Sequence, residues 1–223
     1  MADSFASPFL LKNFVSISFK KEIKMKNLKL IFVGALILAV SQARLGFAAV
    51  ETYTIDPTHS TLGFAVKHMA VGVTRGGFDV YSGSISFDPQ DEKSFNAAVT
   101  IQVSSIDTKI ADRDTHLKAP DFFDADKFPT IVFNSTGLVK KSEGEYDLLG
   151  NLTIKDVTKQ ISIPVSISGP VTSPFGAQVI GLSGELTINR KDYNVTFNKL
   201  LDNGGLMVDD LVKIIVEFEA DKK

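Results

Sequence analysis

"KQISIPVSIS", Lys159 to Ser168, carries an apolar side chain on every second residue: Ile161, Ile163, Val165 and Ile167. Gln160, Ser162, Ser166 and Ser168 stand opposite them. Successive side chains of an extended strand point to opposite faces, so one greasy and one polar row is the pattern of a half-buried strand. A helix would scatter the same four side chains around its circumference. Pro164 falls on the polar row and offers no N–H to a ladder, which predicts an edge, a seam or a bulge there.

The same period recurs on both sides of this stretch. It places Leu62, Phe64 and Val66 on one face, then Phe95, Ala97, Val99, Ile101 and Val103. Further on it gives Tyr146, Leu148, Leu152 and Ile154, then Leu182, Leu186 and Ile188, then Val212, Ile214, Val216 and Phe218. Segments 78–87 and 130–139 read as less regular strands, and 53–55 as a short edge pair. Only 108–127 and 191–209 look helical or irregular. Short Gly, Asp, Asn and Pro connections join the strands, which predicts an all-β antiparallel domain. Strands of this length close into an eight-stranded barrel wide enough for one small ligand, although a two-sheet sandwich satisfies the same pattern. Glycines within strands, at Gly63, Gly83, Gly150 and Gly184, favour the barrel. A missing side chain there lets the backbone bend or leaves space inside.

The first 48 residues have a different character. From Met25 the chain runs "MKNLKLIFVGALILAVSQARLGFAAV". Lys26 and Lys29 precede an apolar run from Leu30 to Val40, and Gly46 and Ala48 occupy the small-residue positions of a cleavage site. This is the anatomy of a secretory signal peptide, and the run is too short to span a bilayer. Met25 is the expected initiator, residues 1–24 an upstream extension, and cleavage is expected after Ala48. A mature domain over residues 49–223, periplasmic or secreted, follows from that reading.

Residues 49–223 hold 17 Lys and Arg against 24 Asp and Glu, a formal charge of −7. Nothing basic is left to hold nucleic acid, and an anionic membrane surface would repel the domain. The chain has no cysteine, which excludes thiol catalysis and thiolate-bound zinc.

Three histidines limit where chemistry can sit. His59, after "DPT", reads as a turn histidine. His68 shares parity with Leu62, Phe64 and Val66 and is expected to point inward at a strand end. His116 lies near Asp112 and Asp114, but a metal would need three firm ligands and a second shell, and Arg113 stands among these acids. A short helix with Asp112 near its N-terminus explains the segment without a metal. Neither a nucleophile elbow nor a phosphate loop is present, so no catalytic residue and no metal ligand is assigned. The positive signal is phenylalanine, 17 residues with no tryptophan. Phe122, Phe123, Phe128 and Phe133 cluster behind Arg113 and His116, either plugging a barrel end or lining its mouth.

Five stretches carry a family resemblance: "IDPTHSTLGFAVKHM", "RGGFDVYSGSISFDP", "SSIDTKIADRDTHLKAPDFFDADKFPTIVFNST", "GNLTIKDVTK" and "INRKDYN". On these the chain resembles the YceI-like family, secreted bacterial proteins of lipocalin-like β-barrel form that bind polyisoprenoid or other long-chain lipids. The resemblance covers nearly all of residues 51–220. It departs from the family pattern at Lys155 and Asp156, where His-Gly is usual, at Asn194, where Gly is usual, and in the loop before Val212.

The resemblance implies an apolar tunnel lined by Leu62, Phe64, Val66, Val99, Ile101, Ile131, Phe133, Leu152, Ile154, Ile163 and Val165. Its ligand would be a long-chain isoprenoid, a quinone-like molecule or a fatty lipid, with no other cofactor, and a homodimer is compatible with it. His68 and Arg190 are the candidates for a polar headgroup, with an ion pair to Asp192 or a loop acid as the alternative for Arg190. Arg113, Asp114 and His116 are expected to hold a cover against the rim, while Phe122, Phe123 and Phe128 close or line the mouth. The competing readings are a small-molecule or metal-dependent enzyme with its site around His116, and a stress-related interaction protein with a filled barrel.

The signal-peptide reading predicts that the exported protein begins at Ala49. N-terminal sequencing from a secreting host checks this, and a chain retaining Met25 would contradict it.

Overall fold

Alternation in the sequence becomes eleven strands: β1 (Glu51–Ile55), β2 (Thr61–His68), β3 (Gly72–Phe78), β4 (Tyr81–Phe87), β5 (Asn96–Gln102), β6 (Ile106–Asp107), β7 (Thr130–Ser142), β8 (Glu145–Ile154), β9 (Val157–Thr172), β10 (Gln178–Asn189) and β11 (Val208–Lys222). A computed structural model provides these coordinates, and it describes residues 50–223 apart from Pro89 and Asn203. The leader read at residues 1–48, with Met25 and Ala48, lies outside the described residues.

Three of the long strands are broken, so eleven elements make eight staves. A turn divides β1 from β2, Asp79–Val80 divides β3 from β4, and a 3-10 turn at Val103–Ser105 divides β5 from β6. Hydrogen bonds join β1, β4, β5, β7, β8, β9, β10 and β11 in that order, and β11 returns to β1 through Tyr53↔Lys222 and Ile55↔Ala220. The result is the expected closed eight-stranded antiparallel barrel, with one short α-helix among the described residues, α1 (Ala111–Lys118), in a loop. The stretch 53–55 is therefore not an edge but the closing seam, paired on both sides. The stretch 78–87 is not one strand either: Asp79 N bonds Ser105 O, so the chain turns there instead of continuing the ladder.

Pro164 marks a second seam. The β9–β10 ladder runs from Thr172↔Gln178 to Val165↔Gly184 and stops beside the residue that has no N–H. β8 still pairs with β9 past this point, through Asp147↔Pro164 to Ile154↔Val157. Gly184 allows the close crossing, since a Cβ there would lie 2.7 Å from Pro164 O.

Gly83, Gly150 and Gly184 do not leave space, whereas a Cβ on Gly63 would meet nothing closer than 3.6 Å. A Cβ on Gly150 would meet the Phe133 ring at 2.4 Å and Asn134 O at 2.8 Å, and one on Gly83 would meet Ala98 O at 2.5 Å. Neighbouring rings and backbone already occupy the room that the missing side chains release at Gly83, Gly150 and Gly184, so of the two expected uses of these glycines it is close approach and not spare room that is found there.

The two halves of the interior differ. At the end with the β4–β5 and β7–β8 connections, Phe87 meets Phe95 at 6.2 Å and Tyr146 at 6.3 Å, both edge to face. Tyr53, Ile180 and Ala220 are buried around them. Rings of this size fill a small barrel completely. The other half is walled mostly by aliphatic side chains, with several aromatic rings among them, and is not filled.

Replacing Gly150 by valine should therefore force Phe133 or the β7 backbone aside and cost about 1–3 kcal/mol of stability. A lowered urea midpoint at unchanged m-value checks this, and an unchanged midpoint would mean that the ring shifts freely.

Candidate functional site

Strands β2, β5, β7, β8, β9, β10 and β11 turn their apolar rows into a cavity of about 190 Å³. Of the residues expected to line a tunnel, Leu62, Phe64, Val66, Val99, Ile101, Ile131, Phe133, Leu152, Ile154, Ile163 and Val165 all face this cavity. Phe122, Phe123 and Arg190 face it too. His68 and Phe128 do not belong to the wall. His68 ends β2 opposite Val208 and Gly72, beyond the enclosed space. Phe128 turns outward under cations, with Lys127 Nζ 4.9 Å and Lys155 Nζ 5.9 Å from its ring centre.

Sequence reading left out part of the wall. Leu186, Ile188, Ile214, Val216 and Phe218 line the cavity and belong to the same alternating rows. Phe78, Tyr193 and Val195 also line it but lie in irregular sequence, where no period reveals an inward side chain. The wall has two polar contributors of note, Arg190 and Tyr193, and burial raises the Tyr193 phenol above its usual range.

One end of the cavity is roofed by the segment that follows β6. Thr108, buried, is its fastening point. Its N–H and hydroxyl donate to Asp114 Oδ1 at 2.8 and 2.5 Å, while Arg113 Nε donates to its hydroxyl at 2.7 Å. A second guanidinium bond, Arg113 Nη2 to Thr108 O at 2.8 Å, completes the tie. Arg113 and Asp114 thus bind α1 to the strand end behind it, not directly to the rim. Asp112 and Asp114 sit in the first turn of α1, where acids favour the helix dipole.

His116 is part of an aromatic stack. Its ring lies 4.9 Å from Phe122 and 4.8 Å from Phe197, and Phe122 lies 4.7 Å from Phe197. Nε2 of His116 is 2.9 Å from Asp121 Oδ2. This stack joins the roof to the connection between β10 and β11. On the far side Phe123 meets Phe78 at 6.1 Å, and Phe78 meets Phe64 at the same distance.

Lys155, in the β8–β9 turn, ties three loops together. Its Nζ donates to Phe122 O at 2.9 Å and Asn194 O at 3.0 Å. Asn194 Nδ2 donates to Asp156 Oδ1 at 3.0 Å, and this bond holds the Asp156 carboxyl below its usual range. Lys155 and Asn194 both have positive φ, 54° and 58°, and asparagine tolerates that region better than most residues. The turn positions at which this chain departs from the family pattern are thus in contact with one another.

Arg190 is almost wholly enclosed and fully engaged. It donates to Val195 O at 2.7 Å, Asp209 O at 2.9 Å and Val208 O at 3.2 Å, and pairs with Asp210 at 3.2 Å. Its acid is Asp210 and not Asp192, which pairs instead with Lys159 across the end of β9. Burial lowers the guanidinium's proton affinity, and Asp210 and Asp209 push it back up.

Among the described residues, metal-ligand spacing occurs at Asp56, His59 and Glu219, on the β1–β2 corner and away from His116. His59 Nδ1 lies 2.6 Å from Asp56 Oδ2, a contact that closes the turn. Thr58 N–H and His59 hold the Asp56 carboxyl at about 2, and Asp56 raises His59. Asp112, Asp114 and His116 form no such group among the described residues.

Comparison with known proteins agrees with this architecture. Residues 53–220 match the family model described as the YceI-like domain. A UPF0312 protein of Staphylococcus aureus strain MSSA476 is 40% identical over 169 residues, 75% of this chain and 94% of that protein. Burkholderia cenocepacia BcnA superposes with a TM-score of 0.66 at 27% identity, covering 74% of this chain and 99% of BcnA. The Campylobacter jejuni YceI protein gives 0.61 at 30% identity, covering 70% and 90%. A polyisoprenoid-binding domain of Saccharophagus degradans gives 0.59 at 17% identity, covering 77% and 98%, which shows a shared fold.

Thr108→Val should loosen the fastening of the roof and cost about 1–3 kcal/mol, because Asp114 and Arg113 lose the buried hydroxyl while their bonds to the Thr108 backbone remain. Urea unfolding measures the loss, and faster hydrogen exchange at Phe122 and Phe123 than in the barrel strands would show that it is local. Equal acceleration everywhere would contradict this.

Proposed function

The chain belongs to the YceI-like family, and from that premise we propose that it binds a long-chain isoprenoid or similar amphiphilic lipid tail inside the barrel, as an exported carrier or store. One observation carries the reading: an apolar cavity remains open in one half of a barrel whose other half is plugged by rings.

A cavity of about 150 Å³ holds one benzene, so a cavity of about 190 Å³ accommodates about seven or eight chain atoms. That corresponds to one or two five-carbon units. At about 0.8 kcal/mol per buried methylene, such a tail gains roughly 6 kcal/mol gross. Association costs about 4–15 kcal/mol, so shorter tails do not stay bound and longer ones extend through the mouth. A polar headgroup is then left at the roof, beside Lys155, Asn194 and Asp156.

An enzymatic reading would need groups poised to move protons over the cavity. His116 is committed to Asp121 and two rings, and Arg190 to three carbonyls and Asp210. Binding without chemistry is the function that this geometry supports best.

Phe122→Ala together with Phe123→Ala should weaken binding of a long isoprenoid alcohol by an order of magnitude or more while leaving most of the stability intact. Fluorescence-displacement titration beside urea unfolding measures both. Loss of stability in proportion to affinity would reduce the pair to ordinary core.

A further inference from the structure

Val71, Phe175 and Leu200 are among the most exposed apolar residues of this barrel and lie at turns, and the β2–β3 turn adjoins the end of the cavity lined by Val208. Between β2 and β3 the chain turns through Met69, Ala70 and Val71, and Val71 is 91% exposed. Met69 and Ala70 adopt φ of 54° and 60°, a region that asparagine or glycine occupies at lower cost. A turn built only for solubility would use those residues. This one places apolar side chains in a strained conformation at its most protruding point, the kind of local conflict that concentrates at functional sites.

The tip is continuous with the mouth. Met69 N–H bonds Met207 O at 2.9 Å, and Met207 N–H bonds Lys199 O at 2.9 Å. Next to Lys199, Leu200 is 69% exposed. His68, one residue before the tip, pairs with Val208, which lines the cavity. Lys67 and Lys199 are exposed beside the apolar tip and Asp202 lies on the Leu200 turn, so these side chains sum to +1 within a domain of −7.

We propose that this end of the barrel docks on a neutral, zwitterionic lipid bilayer, inserting Met69, Val71 and Leu200 so that the mouth opens onto the membrane that supplies or receives the tail. Insertion of aliphatic side chains supplies the attraction, as for other peripheral membrane contacts. Lys67 and Lys199 reach lipid phosphates while their stems stay apolar. The domain's net charge of −7 disfavours an anionic surface and favours a zwitterionic one. The cargo half of this inference rests on the function proposed above; the docking half does not.

Phe175 provides the internal control. It is 98% exposed on the β9–β10 turn, at the plugged end of the barrel, and should play no part. The test uses the mature chain with Val71→Asp, Leu200→Asp and Phe175→Asp variants. Co-flotation with phosphatidylcholine vesicles reads docking. Uptake of geranylgeraniol is read twice, from those vesicles and from cyclodextrin without a membrane. Val71→Asp and Leu200→Asp should each lower flotation and vesicle uptake roughly tenfold, the effect of losing one inserted aliphatic side chain. Both should leave cyclodextrin uptake within about twofold, as expected of exposed positions. Phe175→Asp should change nothing.

Absence of flotation by the unaltered chain would overturn the proposal and point to a protein partner for the tip. An equal effect of Phe175→Asp, or equal loss of cyclodextrin uptake in the tip variants, would overturn it as well. A chain that floats normally but takes up nothing from either source would end the cargo reading and leave the docking surface supported.

Discussion

A ring of eight strands has an interior so narrow that the choice of inward side chains decides whether it is solid or hollow. Here aromatic rings decide it at one end and aliphatic chains at the other. Phe87, Phe95 and Tyr146 interlock edge to face and fill the barrel between its β4–β5 and β7–β8 connections. Beyond them, Leu, Ile and Val rows from opposite walls do not span the width, and the cavity begins. The remaining features of the molecule follow from needing one stable stopper and one opening that can be covered.

Polar groups at the open end serve the cover. Thr108, Arg113 and Asp114 fix α1 to the strand behind it, and Lys155 draws Phe122 and Asn194 together across two other loops. Arg190 ties the connection to the start of β11 by bonding the carbonyls of Val195, Val208 and Asp209 and pairing with Asp210. The Arg190 guanidinium and the Thr108 hydroxyl are used up by the protein, and the wall is otherwise almost wholly apolar. The cavity therefore offers a ligand mainly contact area and few directed bonds. Such a wall selects by length and flexibility more than by functional group, in keeping with the proposed binding of long apolar tails.

The barrel was legible in the sequence because strand rows facing one core repeat every two residues, and "KQISIPVSIS" shows that period without interruption. The seam at Pro164 was legible for the same local reason, a missing N–H. The breaks between β3 and β4 and between β5 and β6 were not, because the hydrogen bonds that force them, such as Asp79 to Ser105, join distant residues. Gly150 misled because a missing side chain does not say what fills its place; the Phe133 ring does so from the neighbouring strand. His68 had the right parity, but parity says nothing about where along a strand the enclosed space ends. Lys155 and Asn194 looked like unrelated turn substitutions until the fold brought them into contact.

Native mass spectrometry of the protein purified from its own host tests the central claim, an occupied apolar interior, most directly. The account predicts a folded species heavier than the chain by the mass of an isoprenoid-type lipid, released by organic solvent and regained on adding a long isoprenoid alcohol. A bare folded mass that stays unchanged when that alcohol is added in excess would contradict it.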